Sequence, residues 1–216
     1  MRAVDNEPRR QLLRYMAALP VAGLVAGCVE LPGQGAPPRQ FRLTPKSTYP
    51  ESMPEVTWSL VVEEPDTQAA LDKDRIALLR QGTELDYYAD VTWSARAPVM
   101  VQRLMIESFK NSNKIEVVGN ERLRIRPDFV LKPELREFQT LMGGGEAPRT
   151  QVTINAKLIQ MPRRNVVGTM GDESIVEAGS EDIESVVAAF DEALGKVMKA
   201  LVEWTLETGN AALAAG

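Results

Sequence analysis

Two stretches of the chain alternate apolar and polar side chains residue by residue. In TWSLVVE (57–63), Trp58, Leu60 and Val62 share one side while Thr57, Ser59 and Glu63 take the other. In QVTINAKLI (151–159), Val152, Ile154, Ala156 and Leu158 oppose Thr153, Asn155 and Lys157. A period of two predicts a strand with one buried face. After the second stretch, MPRRN (161–165) predicts a turn and VVGTM (166–170) an antiparallel return strand, with Gly168 marking a bulge. Shorter strands are expected at 75–79, 84–88, 115–118 and 122–131.

Elsewhere the period is helical. APVMVQRLMIESFKNS (97–112) places Val101, Leu104, Met105 and Phe109 on one side, with Pro98 in the first turn, where a missing N–H costs nothing. From 181 to 207, Ile183, Val186, Val187, Phe190, Leu194, Val197, Met198, Leu201 and Trp204 recur every three or four residues. Ser180 is the expected cap, Glu181 and Asp182 suit the N-terminal dipole, and Gly209 is the expected stop. Each helix has one apolar face to lay on a sheet. The expected fold is therefore a single α+β or α/β domain, a mixed β-sheet with amphipathic helices packed on it.

The first forty residues follow neither period. Arg9, Arg10 and Arg14 precede an uncharged run from Tyr15 to Gly27, and small residues lead to Cys28, the sole cysteine. This is the layout of an export signal. The run is too short to span a bilayer core, for which a helix needs about 20 residues, and Pro20 interrupts it. VAGC (25–28) resembles a bacterial lipobox, which would make Cys28 the acylated first residue of a mature protein carrying fatty acyl chains such as palmitate. More than one chain is needed for stable anchoring, each buried methylene contributing about 0.8 kcal/mol. RRQLL (9–13) also has the look of a twin-arginine signal. Val29 is not the Asp of the familiar inner-membrane retention rule, which points to the outer membrane. Pro32, Pro37 and Pro38 mark a flexible tether. The expected organisation is a signal peptide (1–27), a lipidated tether (28–40), a folded domain (41–208) and a tail (209–216).

Composition narrows the chemistry. The chain of 216 residues has no histidine, 30 acidic and 25 basic residues, and a net charge of −5. Without imidazole there is no Ser-His-Asp triad, no Cys-His pair and no histidine metal site. An acidic balance argues against a general nucleic-acid binder.

Arg122, Arg124 and Arg126 alternate with Leu123 and Ile125, so a strand here would present three guanidiniums on one face, an interaction surface for phosphates or an acidic partner. A solvated sheet face that resists aggregation is the plainer reading. Glu63/Glu64 and Asp172/Glu173 are adjacent pairs that would point to opposite faces of a strand, which disfavours a shared catalytic or metal role. GGG (143–145) lacks the Gly-Lys-Ser/Thr of a phosphate loop and reads as a flexible loop. Tyr87, Tyr88 and Trp93 read first as core packing, then as an interface.

In order along the chain, the lipobox cysteine, FRL (41–43), DRIALL (74–79), LDYYADVTWSARAPVMVQRLMIESF (85–109), LRIRPDFVLKPELREFQ (123–139) and AFDEALGKVMKALVEW (189–204) resemble the ABC-type transport auxiliary lipoproteins. That family includes the paraquat-inducible protein C lipoproteins. Relatives tend to have Tyr where this chain has Phe41. The resemblance implies a lipid anchor at the outer membrane, facing the periplasm, and a partner: the MCE-type substrate-binding component of an ABC system that moves lipid between the membranes of a diderm bacterium. It also implies homo-oligomers, since some members form rings, and it supplies no catalytic motif and no cofactor. The function expected is accessory and non-enzymatic. A structural or assembly lipoprotein of another envelope complex is the alternative, and a periplasmic hydrolase would need carboxylate or Ser/Lys chemistry that the sequence does not locate.

Overall fold

The computed structural model describes residues 36–143 and 147–215. The expected signal peptide, Cys28, residues 28–35 of the tether and Gly144–Gly145 lie outside the described residues. From Pro37 onward the chain is one unit. Its strands are β1 (Arg39–Phe41), β2 (Leu60–Val62), β3 (Asp66–Thr67), β4 (Arg75–Arg80), β5 (Glu84–Trp93), β6 (Val118–Gly119), β7 (Phe129–Met142), β8 (Arg149–Gln160) and β9 (Asn165–Glu177). Two helices join them, α1 (Ala97–Asn111) after β5 and α2 (Ile183–Ala214) at the end.

All nine strands form one mixed sheet built around β7. On one side β7, β8 and β9 run as an antiparallel meander. On the other, the long β7 is shared by three parallel neighbours in succession: β2 beside Phe129–Leu131, β3 beside Glu134–Leu135, and β4 beside Gln139–Met142. Outside these, β6 extends β2 in parallel, and β5 and then β1 extend β4. A single domain with a mixed sheet and two packed helices is the class expected from the hydrophobic pattern.

The alternation at 151–159 works as predicted: Val152, Ile154, Ala156 and Leu158 are buried in β8. Gly168 stands at a register shift, since Leu158 pairs with Gly168 and Ile159 with Val166, leaving Val167 as the extra residue. Beneath the sheet, Trp93, Phe138 and Phe190 meet edge-on or tilted with ring centroids 4.9–5.5 Å apart. Trp93 thus takes the core role expected of the aromatic cluster. Phe190 belongs to the buried stripe of α2 that continues through Leu194, Val197, Met198 and Leu201. Removing such a ring costs about 3–5 kcal/mol.

Several boundaries differ from expectation, each for a local reason. The first strand begins at Arg39, inside the segment assigned to the tether, because Arg39–Phe41 pairs with Val91–Trp93 of β5. The strand at 115–118 shrinks to Val118–Gly119, with Ile115 making only an isolated bridge to Val56. Strand β9 runs seven residues beyond the expected return strand, paired with β8 as far as Glu177. The cap of α2 is Asp182, not Ser180: Asp182 Oδ1 accepts the Ser185 N–H at 2.9 Å, and the Ser180 hydroxyl donates to the Asp182 carboxylate. Gly209 does not stop α2. The helix runs on to Ala214, so the expected tail is mostly helix. A Cβ on Gly209 would come within 2.6 Å of Trp58 Cζ2, so glycine serves there to let an indole against the helix.

Candidate interaction surface

The predicted strand at 122–131 is the largest departure, and it falls on the candidate residues Arg122, Arg124 and Arg126. The strand begins only at Phe129. Asn120 Oδ1 accepts the Arg122 N–H at 3.2 Å and starts a short 3-10 turn at Glu121–Leu123. Arg124 then adopts φ +52°, the left-handed region, which ends the turn and breaks any pleat. Pro127 carries no N–H and biases the residue before it away from helix. The arginines therefore sit on an exposed loop rather than in a row on a sheet.

The loop is fastened at both ends. Glu121 turns its carboxylate back to the body, where Oε1 accepts the Glu64 N–H at 3.3 Å and Oε2 accepts the Gln102 amide at 3.5 Å. At the far end Asp128 Oδ2 accepts both the N–H and the hydroxyl of Ser59 at 2.8 Å. Between them Leu123 folds over Gly119, where an added Cβ would lie 2.1 Å from Leu123 Cδ1. Even so, Leu123 is 42% and Ile125 38% exposed.

A second basic segment that sequence reasoning treated only as a turn joins this loop. The Met161 N–H donates to the Asp128 carbonyl at 2.8 Å, which places the β8–β9 hairpin tip, with Arg163 and Arg164, beside the end of the arginine loop. Val166, just past that tip, is 56% exposed. Among the described residues none of these five guanidiniums makes an ion pair or a side-chain hydrogen bond. In contrast, Arg39, Arg80 and Arg96 all pair with carboxylates. The sequence signal for the hairpin arginines is RRN at a turn, and only the tertiary contact to Asp128 shows which loop they join.

The other candidates resolve separately. Glu64 lies 3.3 Å from Arg96, which also holds Asp72. Glu173 accepts from Gln151 and Thr153 on the open face of the sheet, whereas Asp172 is half-buried on the other side, and that desolvation raises its pKa. Asp172 and Glu173 are therefore split as expected, whereas Glu63 and Glu64 lie past the end of β2 and line one shallow groove together with Asp66 and Asp72. Tyr87 is half-buried under Arg75 and Lys73, 4.3 and 5.2 Å from its ring centroid. A shallow groove of about 300 Å³ on the open face is lined by Asp66, Lys132, Glu134, Asn155 and Lys157, a mixed set of charges without a convergent reactive group. Among the described residues there is no group of His, Cys, Asp and Glu placed to hold a metal ion, and no helix long and apolar enough to cross a membrane.

Residues 41–202 match the family model described as the ABC-type transport auxiliary lipoprotein component. The chain belongs to this family. As an auxiliary lipoprotein component it is similar to a solved DUF330-family protein of Xanthomonas campestris, with 30% identity and a TM-score of 0.77 over 81% of this chain and 98% of that one. A second solved structure, of an uncharacterised protein, shares the fold at TM-score 0.62 and 8% identity, covering 76% of this chain and 96% of that one. An uncharacterised protein of Bradyrhizobium diazoefficiens is 26% identical over 191 residues, 85% of this chain and 50% of the relative. The chain thus spans about half the length of that curated relative. Membership assigns the domain to the auxiliary components of ABC-type transport systems.

Proposed function

We propose that this auxiliary component is a periplasm-facing lipoprotein, held at the outer membrane through acylated Cys28, that serves an MCE-type ABC system moving lipid between the two membranes. It acts by binding partners and not by catalysis. The observation that carries this reading is the family match across residues 41–202, the domain that directly follows the lipobox and tether. The absence of histidine from the chain and the open, mixed-charge character of the described groove favour a binding role. A short tether confines the domain to a shell near its membrane and raises its effective concentration for a partner that reaches there. Homo-oligomers are part of the same proposal.

The test is Cys28→Ala in the native host. The variant should lose acyl labelling and leave the membrane fraction, and it should fail to restore lipid transport to a strain lacking the protein. Full restoration by a folded, unlabelled variant would contradict the reading.

A further inference from the structure

We infer that the arginine end of the domain is a docking surface for an acidic protein partner, held away from the membrane in which the protein is anchored. The inference rests on the proposed anchor at Cys28. Its first support is position. Arg39, where the chain enters the sheet, pairs with Glu184 at the start of α2. At the other end of α2, a Cβ on Gly168 would lie 2.7 Å from Thr208 Cγ2, and Gly209 faces Trp58, next to the Ser59 that fastens the arginine loop. From Glu184 to Thr208 the helix rises roughly 36 Å at about 1.5 Å per residue. The chain enters at one end of α2 and the arginines stand at the other.

The length of the link makes this separation matter. Eleven residues take the chain from Cys28 to Arg39. A chain of that length reaches at most about 40 Å when fully drawn out. Standing the domain upright on its arginine end at the anchoring membrane would demand a nearly taut link, whereas pointing that end outward demands nothing. An acidic lipid surface at the anchor is therefore the poorer occupant.

Charge and apolar exposure describe the partner. The chain is net acidic, yet Arg122, Arg124, Arg126, Arg163 and Arg164 gather at this end with no carboxylate partner among the described residues. The two acids of the loop itself, Glu121 and Asp128, are engaged by the body of the domain, and neighbouring Glu64 pairs with Arg96. Leu123, Ile125 and Val166 stand exposed between the arginines. Unpaired guanidiniums around a small apolar centre match a partner surface that carries carboxylates around aliphatic side chains, with the charges steering encounter and the centre excluding water.

A photo-crosslinking residue in place of Ile125, in the full chain within its native envelope, tests this. The same residue in place of Lys196, on the exposed side of α2, is the control. Mass spectrometry should find the adduct at position 125 on an Asp/Glu-rich segment of a component of the same transport system. Arg124→Glu with Arg126→Glu should cut its yield about tenfold, and Arg124→Lys with Arg126→Lys should restore most of it. Unchanged melting temperatures separate this from misfolding. Crosslinks to phospholipid, crosslinks to a second copy of the chain, absence of crosslinks, or yields indifferent to charge reversal would each overturn the proposal. The N-terminal peptide in the same spectra reports acylation of Cys28. An unmodified cysteine would sink the anchor reading and the outward orientation, while the adduct at position 125 still decides the acidic partner.

Discussion

Gly209 and Gly195 lie in the same helix, and replacing each by alanine should move stability in opposite directions. At Gly195 nothing lies within 4 Å of an added Cβ, so Gly195→Ala gains helix propensity alone, about 0.5–1 kcal/mol. At Gly209 the same methyl meets Trp58 at 2.6, 3.1 and 3.2 Å on three ring atoms. The indole has little room to retreat: Trp58 is 5% exposed and its ring lies 4.8 Å from that of Phe129. Overpacking of this kind costs about 1–3 kcal/mol. The propensity gain is common to both variants, so their difference isolates the packing cost. Urea denaturation followed by tryptophan fluorescence should place Gly209→Ala about 1–3 kcal/mol below Gly195→Ala, a Tm difference of roughly 2–4 °C per kcal/mol for a domain of this size. Equal stabilisation of both variants would refute the assignment of Gly209 as a packing contact.

Three further predictions draw on separate features. Thr150 is fully buried and its hydroxyl has no partner among the described residues, so Thr150→Val should stabilise the fold by about 1 kcal/mol in the same assay; a loss would show that the hydroxyl is bonded. Burial raises the pKa of Asp172, so its protonated form favours the folded state below the unfolded carboxylate range, and that stability is lost as pH rises through the raised folded value. Asp172→Asn should therefore be more stable than the parent at neutral pH, with the gain shrinking in acid, and a gain independent of pH would contradict this. Asp182 has the opposite sign: hydrogen bonds from Ser180 and the Ser185 N–H lower its pKa, so its contribution is present above the unfolded carboxylate range and fades as pH falls through the lowered folded value. Asp182→Ala should lower Tm at neutral pH and converge with the parent in strong acid, whereas Ser180→Ala with Asp182 intact should retain the cap.

Side chains that obey one period were readable in advance. The alternation in β8 and the three-to-four spacing in α1 and α2 encode faces that the fold buries. The segment 122–128 misled because Arg-Leu-Arg-Ile-Arg has the alternation of a strand. What decides its shape is a side-chain cap from Asn120, a left-handed Arg124 and the folding of Leu123 over Gly119. Gly209 likewise carries the local mark of a helix stop, and only the approach of Trp58, distant in sequence, explains a glycine inside the helix. For the candidate surface, the sequence marked three of the five arginines. Arg163 and Arg164 were hidden because the link from Met161 to Asp128 joins two turns far apart along the chain.

The central claim is a lipid-anchored accessory role in an ABC transport system, and isolation of the protein from its own envelope tests it most directly. Full-length protein would be affinity-purified in mild detergent, with mass spectrometry of the N-terminal peptide and of every co-purifying protein. The account predicts acylated Cys28 at the mature N-terminus together with an MCE-type component and its permease and ATPase. An unmodified, uncleaved N-terminus, or reproducible recovery of secretion or outer-membrane assembly proteins in place of a transporter, would contradict it.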